Sequence, residues 1–302
     1  MPSKAALLCI ALLIAATGFA ADVRVPVSAD EEALLKAADF EATIDGIGKA
    51  AVTAIRTPKD DLIVLLVMDV VGDLAYGAPA KSALAATFHE IPERIHVTIL
   101  RAQEGLRVVL DPTADRDAIE EAITNVPVNG KAGLLDTVES AAQLADAVAV
   151  KSNVRVAVLY ITDSDVRNYR EDFTNPVINS SDSRDLSRRF PEGLIRERIS
   201  RVSASLARSQ TPVFLVHLRY SRERLDEAYQ NGLSQLTRIS GGAAQFCRSA
   251  AEIPDAIAQT MGALTRQYRV HVQLPAKPPK SLNVTLSSGG RQLGYRTRFV
   301  LR

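Results

Sequence analysis

An α/β fold, a doubly wound and mainly parallel sheet with helices on both faces, is the architecture this sequence predicts, and three observations predict it. Two near-continuous apolar runs, Leu62 to Asp69 (LIVLLVMD) and Val154 to Asp163 (VRVAVLYITD), lack the period-2 alternation of a half-exposed strand. Such runs mark central strands covered on both faces. Strand and helix signals then alternate in the βα order that a parallel sheet requires. The third observation is the aspartate that closes each run. Carboxyl ends of strands line the crevice of an open α/β sheet, so Asp69 and Asp163 are expected to meet at the edge where ligands bind.

Taken in order, the chain opens on a secretory signal over residues 1–20: Lys4 as positive n-region, Ala5 to Ala16 as apolar h-region, and TGFA (Thr17 to Ala20) as a small-residue exit. Its apolar stretch is too short for a membrane span, and no other segment reaches about 18 apolar residues, so an exported protein without a stable span is expected after cleavage. Residues 22–57 read as a small β element, with VRVPV (Val23 to Val27) alternating like an edge strand and DFEATIDG (Asp39 to Gly46) running into an Asp-Gly turn. Residues 58–267 form the α/β domain. After the first buried strand, Ala78 to Ile91 is helical in pattern, HVTIL and LRVVL make a hairpin through Gly105, Asp115 to Asn125 is a capped helix, and Gly133 to Val150 is another. The second buried strand follows, then a polar stretch to Glu192, a helix to Ser209, the strand PVFLVHL, a helix to Ser240, the Gly241-Gly242 break, and a last helix to about Tyr268. Residues 268–302 alternate in three short runs and read as a C-terminal β segment.

Composition narrows the function classes. Hydrophobic residues make up 47% and charged residues 24% of 302 residues, the balance of a globular chain with a sizeable core. Lys plus Arg number 36 against 35 Asp plus Glu, so no single-sign field argues for nucleic acid or an anionic membrane surface. With Cys9 in the signal, Cys247 stands alone in the mature chain and reads as a packed core residue.

Five segments in order resemble the von Willebrand factor A (VWA) domains, and among them the bacterial secreted VWFA-related proteins. LIVLLVMDVVGD stands where that family carries D-x-S-x-S; GKAGLLD (Gly130 to Asp136) resembles its G-G-T-A-L-Y-D; YITDSD (Tyr160 to Asp165) resembles its L-S-D-G-x-D. LTRISGGAAQF (Leu236 to Phe246) and DFEATIDG resemble two further segments of such proteins. The resemblance implies a metal-ion-dependent adhesion site, in which Mg²⁺ is held by Asp, two Ser, Thr and a second Asp and takes an acidic residue of a protein partner. In this sequence Asp69 and Asp163 match, but the serine positions are Val71 and Asp73 and the threonine position is Ala132. Three hydroxyl ligands are gone. The site reads as degenerate, with no resident cofactor; the ligands of any Mg²⁺ or Ca²⁺ would be Asp69, Asp73 and Asp163.

Four carboxylates, Asp69, Asp73, Asp163 and Asp165, nonetheless crowd two neighbouring loops, and like charges at that spacing call for a cation, an arginine or open water. Arg167 and Arg170 are near in sequence and complete the candidate partner-binding set. The connection from Val166 to Glu192 is long for an α/β unit, which marks either an interface or a solvated loop. The segment Gly46 to Ala51 matches G-x-G-x-x-A by chance, because the strand before it is short and polar. Four histidines lie scattered without metal-ligand spacing, and His217, the nearest to the crevice, reads as a core residue. The expected function is non-enzymatic protein binding or scaffolding in an exported compartment, against a metal-dependent ligand-binding domain or a cation-assisted hydrolase, which would need a base beside Asp69.

Overall fold

The computed structural model describes residues 22–29, 34–72, 74–169 and 191–301. The segment 1–20, expected to be an export signal, lies outside them, as do Asp73, Arg170 and the connection from 170 to 190.

Strand β5 (Leu62–Asp69) pairs in parallel with β8 (Arg155–Thr162), so the two apolar runs are neighbours at the centre of a six-stranded sheet. Across that sheet the order is β10 (Ala244–Phe246), β9 (Val213–His217), β8, β5, β6 (Ile95–Arg101) and β7 (Arg107–Thr113), all parallel except the antiparallel edge strand β7. Six helices accompany it among the described residues: α1 (Leu74–Glu90), α2 (Arg116–Asn125), α3 (Leu134–Ser152), α4 (Pro191–Leu206), α5 (Arg224–Ser240) and α6 (Ile253–Arg266). The period of 2 hidden in the apolar runs decides which layer each residue enters. Val64, Leu66 and Met68 of β5 pack with α1, α2 and α6, whereas Leu65 and Val67 pack with α3, α4 and α5. All are buried, at ~1.5–3 kcal/mol per large apolar side chain.

Local chemistry sets the helix ends. Asp115 caps α2, its Oδ1 accepting from the N–H groups of Asp117 and Ala118 at 3.1 and 3.2 Å. Gly241 closes α5 at φ 90°, a left-handed conformation that favours glycine. Helix boundaries shift by one to four residues from the sequence reading, as where α4 ends at Leu206 rather than Ser209, and one strand changes its role. Helix α1 begins at Leu74, one turn before Ala78, with Gly77 packed against Val70 and Val128 and Pro79 inside the helix. Helix α6 stops at Arg266, because Tyr268 is drawn into a second core as the first residue of strand β11 (Tyr268–Gln273). Strand β1 (Asp22–Ala29), which reads as an edge, lies inside its sheet between β11 and β13 (Leu293–Tyr295). Pairing with β13 begins at Val27, one residue after Pro26, so the proline without an N–H precedes the second ladder.

That second core belongs to two small sheets built from both terminal segments. One has the order β13, β1, β11, β4 (Val52–Arg56); the other β14 (Arg298–Val300), β12 (Ser281–Ser287), β2 (Glu41–Ile44), β3 (Gly48–Ala50). Val23, Val25, Val270, Val272, Val284 and Phe299 meet between them as one cluster.

Two buried arginines, Arg269 and Arg296, join this β lobe to the α/β domain, and a third, Arg155, ties the loop before β5 to the end of α6 at the same end of the sheet. Arg155 donates from Nη1 to the carbonyls of Thr265 and Gln267 and from Nη2 to those of Pro58 and Asp60, at 2.9 to 3.1 Å. Arg269 donates to the carbonyls of Val154 and Val156, and Arg296 to those of Ile239 and Ala207 while lying 4.0 Å over the Phe299 ring. Burial lowers each guanidinium to a pKa of about 10, which leaves all three charged.

Candidate functional site

Because β5 and β8 run in parallel with Asp69 opposite Thr162, the two motif aspartates leave the sheet at one edge. They share one crevice, with the N–H of Asp163 3.4 Å from the Asp69 carbonyl.

Every carboxylate oxygen of this pair is engaged by the protein itself. Asp69 is fully buried; its Oδ1 accepts the Gly133 N–H at 2.8 Å and its Oδ2 accepts the Thr162 hydroxyl at 2.9 Å. Gly133 is the N-cap of α3, so the positive end of a 19-residue helix faces that carboxylate. Burial pushes the Asp69 carboxyl up to about 6, opposed by the Gly133 and Thr162 bonds and reinforced by the charge of Asp163. Asp163 reaches across to the first motif: its Oδ1 accepts the Val71 N–H and its Oδ2 the Gly72 N–H, both at 2.9 Å. Thus Val71, where the resemblance leads one to expect a serine, contributes a backbone donor.

Side-chain hydroxyls extend the network inward. Ser164 Oγ lies 2.7 Å from Thr162 Oγ1 and 2.9 Å from the Tyr229 hydroxyl. Thr162 has one hydroxyl proton, so while it donates to Asp69, Ser164 donates to Thr162 and Tyr229 to Ser164. On the other flank Thr137 Oγ1 donates to the Gly133 carbonyl at 2.6 Å and meets the Tyr160 hydroxyl at 3.1 Å. His217 pins the third motif: Nε2 donates to the Ser164 carbonyl at 2.8 Å and Nδ1 accepts the Arg219 N–H at 3.3 Å. Burial lowers its pKa, and with both nitrogens taken the ring is a neutral structural group. Cys247 is buried, its thiol pushed up to about 11 by that burial.

Asp165 sits just outside, its Oδ1 accepting the Asn168 N–H at 3.2 Å and its own N–H donating to Asn168 Oδ1 at 2.6 Å. Arg167 lies in a short 3-10 turn, Val166–Tyr169. Its side chain, with all of Asp73 and Arg170, is outside the described residues. Ala132 is buried and offers no oxygen from its side chain. Among the described residues no group of three or more His, Cys, Asp or Glu is placed to hold a metal ion, and the donors that are described do not by themselves fit one. Thr162, Ser164, Gly133 and Tyr229 escaped the sequence reading. The first two flank Asp163 directly, which was the available signal; Tyr229 is 65 residues from Ser164 and gave none.

The sheet order and the paired motif aspartates give the chain a VWA-like α/β fold. No family model matches the chain, and no curated protein matches it. Among solved structures it is similar to a von Willebrand factor type A protein from Catenulispora acidiphila, at 12% identity over 94% of this chain and 75% of that one, with a TM-score of 0.45. The vWF domain of the type V pili tip protein Mfa5 from Porphyromonas gingivalis is similar at 10% identity over 68% of this chain and 96% of that one, TM-score 0.43. The PilB minor pilin from Streptococcus sanguinis is similar at 11% identity over 68% of this chain and 62% of that one, TM-score 0.48.

Proposed function

We propose that this chain is an exported, non-enzymatic protein-binding or scaffolding module whose contact surface is the loop set at the carboxyl edge of the sheet, and that it works without a divalent cation. One observation carries the reading. The carboxylate oxygens that would face a cation in an adhesion site are bonded to Gly133, Thr162, Val71 and Gly72, so the aspartates tie the three motif loops to one another. Taking those oxygens for a metal would strand the buried Gly133 N–H and the buried Thr162 hydroxyl at ~1–3 kcal/mol each and undo the loop ties to Val71 and Gly72. The neutral, doubly bonded His217 supports the non-enzymatic part, since it has no nitrogen left to act as a base. Among the described residues no helix is long and apolar enough to cross a membrane.

Calorimetric titration of the purified protein with Mg²⁺ and Ca²⁺ tests cation independence, and the expected result is no saturable heat from either. Tight Mg²⁺ binding lost in Asp69→Ala would overturn it. The contact surface is tested by a photo-crosslinking amino acid at exposed Lys131, in the loop before α3, against the same group at exposed Lys49 in the β lobe. A discrete adduct in the exported fraction from position 131 alone is expected; equal labelling from both positions sinks the assignment.

A further inference from the structure

We infer that a cavity beside the crevice, between the third-motif loop and the first turn of α5, is a receptor for a primary ammonium group, the side-chain head of a lysine on a protein partner. The wall is strongly acidic: Asp163, Asp165, Glu223 and Asp226 line it, and Arg219 is the one cationic side chain among the described residues around it. Acidity alone would mean little, because Asp163 and Asp165 already have backbone partners. Asp226 is different. It is 7% exposed, and its carboxylate has no hydrogen bond or ion pair among the described residues. That carboxylate is largely buried, lines the cavity and has no partner among the described residues, and the N-terminal end of α5 balances its charge only in part. A cation arriving from outside completes the balance.

Size and coordination select which cation. The cavity is about 20 Å³, room for one water-sized group, and that suits an ammonium rather than a planar guanidinium. A divalent metal needs a shell of convergent oxygens, and no such cluster is formed among the described residues. An alkylammonium needs only two or three acceptors around its N–H groups, and the two Asp226 carboxylate oxygens, with their four lone-pair sites, supply them. The partner side chain is therefore basic, the reverse of the acidic residue that a cation-loaded adhesion site takes. That a protein presents the lysine rests on the proposed protein-binding function; the ammonium chemistry of the cavity does not.

The test is a titration of the ¹⁵N-labelled protein with Nα-acetyl-lysine N-methylamide, followed by NMR. Saturable shifts confined to residues 226–230 and 163–165 are expected, with a Kd of the order of 1–10 mM. The Nζ-acetylated probe, which has no charge, should give no saturation, and the arginine analogue should bind more weakly. Asp226→Asn should weaken lysine binding about tenfold or more, and Glu223→Gln, a change at an exposed position, by about threefold. The proposal is overturned if the lysine probe does not saturate, if the acetylated probe binds equally, or if both variants bind like the parent protein. Loss of the lysine signal with a Lys131 adduct intact sinks the cavity alone, whereas the converse sinks only the protein-binding reading.

Discussion

At the amino end of the central sheet, buried guanidiniums donate to backbone carbonyls; at its carboxyl end, buried carboxylates accept from backbone N–H groups. The amino end is closed, because Arg269 and Arg296 fasten the β lobe across it and Arg155 ties the loop before β5 to the end of α6. The carboxyl end carries no such cover among the described residues, and Gly72, Gly130 and Lys131 stand exposed there. The difference teaches where each charge came to rest. Carbonyls left over at helix C-termini attract cations and amides left over at α3's N-terminus attract an anion, so each end binds the charge its orphan groups favour.

The largest break in that comparison is Arg155→Met. Removing a guanidinium with four carbonyl acceptors should cost ~3–5 kcal/mol, read as a lower urea midpoint. A loss under about 1 kcal/mol would show that Arg155 does not hold this end of the domain together. Next comes Gly133→Ala at the opposite end: a Cβ there would lie 2.0 Å from the Ala102 carbonyl oxygen, so the loop must move and the Asp69 bond lengthen, at ~3 kcal/mol. If its Tm matches that of the parent, the crevice is looser than its geometry implies.

A third test uses pH. Asp69 has a folded pKa of about 6 against an ordinary 3.8, so between those values the folded state binds more protons than the unfolded chain. Stability from this group therefore falls as pH rises from about 4 to 7, by ~2–3 kcal/mol. Asp69→Asn should flatten that part of the profile, and an unchanged slope in the variant would exclude Asp69 as its source. The smallest effect is expected from cations. In the parent, Mg²⁺ or EDTA should shift Tm by less than ~1 °C. The combination Val71→Ser, Asp73→Ser and Ala132→Thr should gain measurable Mg²⁺ affinity only if Asp163 releases the Val71 and Gly72 amides. An unchanged affinity would sharpen the view that the backbone, beyond the missing hydroxyls, closes the site.

Much of the fold was legible because its signals are local. The runs 62–69 and 154–163 announce central strands by composition alone, and Asp115 and Gly241 mark helix ends by their own cap chemistry. Asp69 and Asp163 were legible as a pair since parallel strands bring like ends together. What could not be read is how their oxygens are used: the partners of Asp163 are backbone amides 91 and 92 residues away, and backbone donors carry no residue code. Nor does β1 declare itself an inner strand, because its neighbours β11 and β13 come from the far end of the chain.

By itself, then, the sequence determined the layered α/β core, the order of its elements, the meeting of two aspartates at one edge, and side chains without a hydroxyl at Val71, Asp73 and Ala132. Only the tertiary structure decided that those aspartates serve as loop ties, that Asp226 is left without a partner in a small cavity, and that arginines lock the β lobe to the opposite end. The division has a physical reason. Burial pattern and capping are written in neighbouring residues, whereas the satisfaction of a buried charge depends on which distant backbone groups folding delivers to it.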